Sequence, residues 1–139
     1  MIGLQQYVCQ VYLHQPLLID GYKFDMRIYT LITSCDPLRI YVFNEGIARF
    51  ATQKYSPPSV ENAQNVFMHL TNYSINKYSC EFLAGEKGSK RRTSNITAWL
   101  TTQGFDAHLV WNEVDDVIIK TVITAAETLK REYKMCFPR

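Results

Sequence analysis

The run Lys23-Phe-Asp-Met-Arg-Ile-Tyr-Thr-Leu-Ile-Thr33 is dense in aromatic and β-branched residues and predicts one long β-strand over 23–33. Inside it Lys23, Asp25 and Arg27 alternate with Phe24, Met26 and Ile28. Successive strand side chains point to opposite faces, so the apolar set can enter a core. The other face then carries a cation, an anion and a cation at about 7 Å intervals, from the rise of a strand. One account is a solvated outer face with weak ion pairs. The other is a face that binds phosphate or carboxylate groups, since Arg39, Glu45 and Arg49 also lie in or just after apolar strands.

Working outward, Asp20-Gly21 is a turn signal, and residues 7–13 before it read as a short strand or extended segment closed by Pro16. After the long strand, Ser34-Cys-Asp-Pro37 predicts a tight connection to a strand over 38–44, an antiparallel hairpin. Glu45-Gly46 breaks the pattern, and 47–51 resumes it after a bulge. Residues 56–65 read as a loop. The polar run His69-Leu-Thr-Asn-Tyr-Ser-Ile-Asn-Lys77 reads either as a turn held by Asx and hydroxyl bonds or as a binding motif. Gly85-Glu-Lys-Gly-Ser-Lys-Arg-Arg92 lacks the Walker spacing and reads as a solvated basic loop or a flexible clamp for an anionic ligand. A helix capped by Ser94 or Asn95 runs to Gln103 and ends at Gly104. A longer one runs from Asp106 to about Tyr133, with Leu109, Val114, Val117, Ile118, Thr121, Val122 and Ala125 as its buried face. Strands first and helices last predict an α+β fold, an antiparallel sheet followed by C-terminal helices.

The 139 residues allow one domain, and 47% hydrophobic content is enough for a core. Fifteen Lys and Arg against 13 Asp and Glu leave +2, too little to argue for nucleic acid. Cys9, Cys35, Cys80 and Cys136 and the three histidines have no zinc spacing, and reduced thiols in an intracellular, soluble protein are expected. No signal peptide and no membrane span is expected. Nothing resembles a Ser-His-Asp or Cys-His nucleophile. Trp99 and Trp111 read as packing residues.

Taken together, several ordered motifs resemble the tubulin tyrosine ligase-like family of the ATP-grasp superfamily. They are Cys9-Gln-Val-Tyr-Leu13, Pro16-Leu-Leu-Ile-Asp-Gly-Tyr-Lys-Phe-Asp-Met-Arg-Ile-Tyr29, Asp36-Pro-Leu-Arg-Ile-Tyr41, Glu45-Gly-Ile-Ala-Arg-Phe-Ala-Thr52, the run 69–77, Gly88-Ser-Lys-Arg91 and Cys136-Phe-Pro138. The Glu45–Thr52 form is similar to the glutamylating branch. The resemblance implies an ATP-dependent ligase that joins free L-glutamate to glutamate side chains of tubulin tails through an acyl phosphate. It implies microtubule partners and a cytoplasmic, cytoskeletal setting, including cilia or basal bodies, with no nucleic acid and no membrane. Residue by residue, it makes Gln10, Val11, Tyr12 and Leu13 the adenine hinge. Lys23, Asp25, Thr71 and Asn72 become nucleotide contacts, and Arg49, Tyr73, Ser74 and Lys90 amino-acid contacts. Lys23 and Arg49 would be the catalytic pair.

The same resemblance implies that residues 1–139 are a partial ATP-grasp catalytic domain, lacking an N-terminal lobe and a C-terminal metal-binding strand. Family members carry an Asp and a Glu-x-Asn pair for Mg2+ further on, and neither Glu45-Gly-Ile nor Glu113-Val-Asp substitutes for them. The metal ligands are therefore expected outside this chain, and these residues alone are expected to have little ligase activity. The alternative is a non-catalytic module that binds tubulin through its basic segment.

Overall fold

The computed structural model describes residues 7–82 and 88–137. The expected α+β order holds: antiparallel strands come first and the long helices last. Strand β1 (Leu18–Ile19) pairs with β2 (Tyr22–Arg27) across Asp20-Gly21, both of which have positive φ, at 56° and 82°. A two-residue Asp-Gly hairpin needs that geometry at both central positions. β2 then pairs with β5 (Ile47–Phe50), and β5 with β6 (Lys90–Arg92), giving the order β1-β2-β5-β6.

The alternation in β2 works as its sequence predicts. Phe24 and Met26 pack on the core of Ile19, Ala48, Phe50, Ile96 and Leu100, and Phe24 stacks on its cross-strand partner Phe50 at 5.4 Å. The expected single strand over 23–33 does not form. It breaks at Ile28 and Tyr29, and β3 (Thr30–Cys35) pairs with β4 (Leu38–Val42) in a separate two-stranded sheet. At the break Gly46 lies so close to Arg27 that a Cβ there would sit 2.6 Å from the Arg27 carbonyl oxygen. The chain leaves the first sheet at that point, and Phe43 N donates to Tyr29 O at 2.9 Å. The predicted strand over 38–44 accordingly stops at Val42.

Residues 7–13 are extended and exposed, with no strand among them. The stretch 90–92, expected in a basic loop, is instead the edge strand β6, extended by Phe50 N donating to Ser89 O at 2.9 Å. Residues 85–87 of that expected loop lie outside the described residues. The run 69–77 takes in the last residue of one single-turn helix, α1 (Val66–His69), and the whole of a second, α2 (Tyr73–Asn76). Asn76, 1% exposed, pins them to the chain just beyond β5. Its Oδ1 accepts from Thr52 N and Oγ1, and its Nδ2 donates to the carbonyls of Leu70 and Asn72.

Helix α3 (Thr93–Thr102) buries Thr93, Ile96 and Leu100. Its predicted stop is correct, since Gly104 adopts φ 81°. Its predicted cap is not, because neither Ser94 nor Asn95 caps it. Glu45 Oε1 does so from the link between β4 and β5, accepting from Thr93 Oγ1 at 2.5 Å, Ser94 N at 3.1 Å and its own neighbour Gly46 N at 3.0 Å. These bonds, Thr93 first, hold the Glu45 carboxyl down from 4.5 to about 2. A depressed carboxyl stabilises the fold above its unfolded value, and that stabilisation is lost as pH falls from 4.5 towards 2. Melting temperature against pH should therefore drop across that window. In Glu45→Gln the drop should be shallower and start from a lower melting temperature at pH 7. Parallel profiles would show that the cap carries no charge-dependent stability.

Helix α4 (Ala107–Cys136) begins as predicted at Asp106, whose side chain accepts from His108 N and Leu109 N. Its expected buried face is corrected: no α4 residue is buried, and Leu109 and Val117 are 57% and 62% exposed. Of that face Val114, Ile118 and Val122 are half-buried, as are Trp111 and Tyr133, while Thr121 and Ala125 are exposed. The helix lies along the β3–β4 sheet, with Asp36 at the hairpin turn paired to Lys134 at 2.9 Å and Lys130 at 3.4 Å. Lys134 first, then Lys130, lower the Asp36 carboxyl. Trp99 stacks on Phe105 and Trp111 Nε1 donates to Thr97 Oγ1, the packing roles expected of them. The four cysteines are unpaired. Among the described residues no helix is long and apolar enough to cross a membrane.

Candidate functional site

The register of the larger sheet lines up Asp25 on β2, Arg49 on β5 and Lys90 on β6 as direct neighbours. They share the face opposite the Phe24–Phe50 core, because strand side chains alternate. Arg49 donates through Nε, at 2.8 Å, and through Nη2 to the two oxygens of Asp25. This fork is the strong, planar form of the Arg–carboxylate bond. It raises the Arg49 guanidinium further above its usual value, with burial opposing. Thr71, buried between α1 and α2, donates its hydroxyl to Asp25 Oδ2 at 3.1 Å. Lys90 Nζ lies 4.0 Å from the centroid of the Tyr73 ring, which meets Phe82 edge-on. A cavity of about 10 Å3 lies among Arg49, Thr71, Tyr73, Phe82 and Lys90, so these groups line a shallow face.

One residue pair further along β2, Lys23 Nζ donates to Tyr12 Oη at 3.1 Å and to the His69 carbonyl at 3.0 Å. Tyr12 in turn bonds His69 Nδ1 at 2.8 Å. Beside them lies an open cavity of about 510 Å3 whose walls include Tyr12, His14, Pro58, Val66 and Leu70. Tyr55 closes this corner, its hydroxyl donating to the His14 carbonyl at 2.8 Å. Burial first, and then the neighbouring Tyr12 hydroxyl, push the Tyr55 phenol up.

Of the residues singled out in the sequence, the structure brings together Tyr12, Lys23, Asp25, Arg49, Thr71, Tyr73 and Lys90. Gln10, Val11 and Leu13 stand exposed on the extended segment beside Tyr12 and belong to no sheet. Asn72 and Ser74 are exposed around the start of α2, where the Asn72 carbonyl accepts from Ile75 N and Asn76 N. Not every strand cation joins this cluster. Arg27 is on the same face but lies exposed at the far end of β2, and Arg39 is on the separate hairpin, paired with Ser34. Sequence reasoning missed the His69 ring, the Glu45 cap and the cavity of about 730 Å3 between β4 and α4. That cavity is lined mainly by apolar residues, with Asp115 its one charged wall residue.

The donors suit an anionic ligand. Lys23 spends two of its three N–H groups and keeps one, and Arg49 keeps its Nη1 group after forking Asp25. The set does not suit magnesium, which prefers several carboxylate or water oxygens. Asp25 is the one carboxylate among these groups and is committed to Arg49 and Thr71. Among the described residues no group of three or more His, Cys, Asp or Glu could hold a metal ion.

Comparison with known proteins gives a consistent picture. The model of the tubulin-tyrosine ligase family matches residues 1–138. The chain is 51% identical over 132 residues to tubulin polyglutamylase TTLL6 of Mus musculus, covering 94% of this chain and 16% of that protein. It is 52% identical over 133 residues to tubulin polyglutamylase TTLL13 of Homo sapiens, covering 95% and 16%. To tubulin polyglutamylase TTLL7 of Xenopus tropicalis it is 45% identical over 134 residues, covering 94% and 15%. The chain therefore spans about 16% of the length of the curated relatives it matches most fully.

Proposed function

This chain belongs to the tubulin-tyrosine ligase family, and from that premise we propose that it carries the nucleotide- and amino-acid-binding face of an ATP-dependent ligase. The ligase joins free L-glutamate to glutamate side chains of tubulin tails, and it works at microtubules. The observation that supports this most is the convergence of Lys23, Asp25, Arg49, Thr71 and Lys90 on one sheet face with unspent donors.

In this reading the adenine lies along residues 10–13 and the phosphates meet the remaining N–H of Lys23. Asn72 and the Asp25–Thr71 pair hold the sugar and phosphate side. The carboxylate of the incoming glutamate meets Arg49, with Lys90, Tyr73 and Ser74 around it. ATP supplies an activated phosphoryl group. An oxygen of the tubulin carboxylate bonds to the γ-phosphorus as ADP leaves. The amino nitrogen of glutamate then bonds to the acyl carbon, phosphate leaves, and the nitrogen gives up a proton. Residues of this chain orient the reactants and spread negative charge, as phosphoryl transfer requires. Because its own carboxylates do not fit magnesium, no step is assigned to them as metal ligands.

The test is Lys23→Ala in a full-length protein carrying these residues, read by displacement of a fluorescent ATP analogue. Losing the charge and the one charged hydrogen bond that the remaining Lys23 N–H gives the phosphates is expected to weaken ATP binding at least about tenfold, since such a bond is worth about 1.5–3 kcal/mol. Unchanged ATP binding, together with salt-sensitive tubulin binding, would instead identify a non-catalytic tubulin-binding module.

A further inference from the structure

We propose that Tyr12 and His69 are positioning residues that aim the Lys23 ammonium at its anionic ligand, a role that rests on the ligase reading above. The geometry fixes the direction of the hydrogen bonds that link Lys23, Tyr12, His69 and Asn62. His69, only 8% exposed, has its Nε2 atom 3.1 Å from the Asn62 carbonyl oxygen. A carbonyl only accepts, so Nε2 carries the hydrogen and Nδ1 of the neutral ring is left with a lone pair. Tyr12 Oη, 2.8 Å from Nδ1, must then be the donor. That commits the tyrosine hydrogen and leaves its oxygen to accept from Lys23 at 3.1 Å. Donation runs one way, from Lys23 to Tyr12, from Tyr12 to His69, and from His69 to the Asn62 carbonyl.

The result is an ammonium held at two points, Tyr12 Oη and the His69 carbonyl, over a ring whose centroid is 4.3 Å away. A lysine stem is flexible and its charge can sweep a wide arc. Two fixed bonds narrow that arc and leave the third N–H pointing outward. The His69 ring is itself clamped edge-on by Tyr12 at 5.5 Å and Tyr55 at 6.1 Å, so the acceptor that orders Tyr12 does not rotate freely. Tyr12 is on the exposed extended segment, is 38% exposed, and contributes nothing to the core cluster. Its hydroxyl can therefore be removed without opening a cavity.

The experiment compares Tyr12→Phe, His69→Asn and His69→Gln with Lys23→Ala in the full-length protein. KM for ATP, KM for glutamate, kcat and the affinity for a fluorescent ATP analogue are measured. Tyr12→Phe is expected to raise the KM and Kd for ATP about five- to tenfold, with kcat and the glutamate KM within about twofold. Asn places its Oδ1 near the site of Nδ1 and still accepts from Tyr12, whereas Gln reaches the site of Nε2 and leaves Tyr12 without an acceptor. His69→Gln should therefore match Tyr12→Phe, and His69→Asn should lose less. If the buried His69 variants do not fold, Tyr12→Phe alone decides the matter. Unchanged ATP affinity in Tyr12→Phe, while Lys23→Ala abolishes it, overturns the positioning role and spares the ligase reading. An equal fall in every parameter also overturns it, as mere local damage. No effect of Lys23→Ala would remove the ligase reading itself.

Discussion

Arg49→Lys, assayed in a full-length protein, is expected to raise the KM for glutamate about 100-fold while shifting ATP affinity only a few-fold. The substitution keeps the charge and removes the fork. Arg49 spends Nε and Nη2 on Asp25 and can still offer Nη1 to a second carboxylate. A lysine ammonium is one point of charge that settles on Asp25 and has no second planar edge to present. Losing one or two charged hydrogen bonds, at about 1.5–3 kcal/mol each, corresponds to roughly the factor stated. In the proposed reading ATP affinity rests chiefly on Lys23, which the substitution does not touch, while Thr71 feels it only through Asp25, the partner it shares with Arg49, hence the few-fold shift. An unchanged glutamate KM with a lowered melting temperature would reduce Arg49 to a structural partner of Asp25.

What the sequence revealed and what it concealed divide along the range of the forces involved. The Lys23/Asp25 against Phe24/Met26 alternation, the Asp20-Gly21 turn and the Gly104 stop are local, and local patterns show them. The break at Ile28 and Tyr29 is invisible, since both are as strand-prone as their neighbours. There Gly46, remote in sequence, passes the chain at a distance no side chain would allow. The three basic residues of β6 show no apolar alternation. They form a strand because β5 has an open edge, a fact of topology. Periodicity in α4 places Leu109 and Val117 in register with other apolar residues, but periodicity cannot say which of them another element covers. At the site, the cations were named from motifs, whereas the His69 ring was hidden in a polar run. Its role depends on Tyr12 arriving from 57 positions away. The cap on α3 is equally remote, with Glu45 lying 48 positions before Thr93.

Gly46→Ala is expected to cost about 3 kcal/mol, the upper end of the usual cost of overpacking because the atoms it meets are rigid, and to lower the melting temperature by about 10 °C. The added Cβ would lie 2.6 Å from the Arg27 carbonyl oxygen, 3.0 Å from Thr93 Cγ2 and 3.2 Å from Ile28 Cδ1. The first is backbone held in the β2–β5 ladder, so it has no rotamer through which to yield. The second belongs to a threonine that is 0% exposed and bonded to both Glu45 and the Gly46 amide. Gly104→Ala is the control: nothing lies within 4 Å of its Cβ, and only its φ of 81° resists. It should cost about 1 kcal/mol. Equal melting temperatures for the two variants would refute the crowding argument. The effect should also reach the site. Gly46 immediately precedes β5, and the Arg49 fork is three residues further along. Relieving the clash by moving β5 away from β2 would stretch the Asp25–Arg49 bonds. The Gly46→Ala protein that remains folded should therefore bind glutamate more weakly, at a temperature well below its own melting point, whereas Gly104→Ala should not.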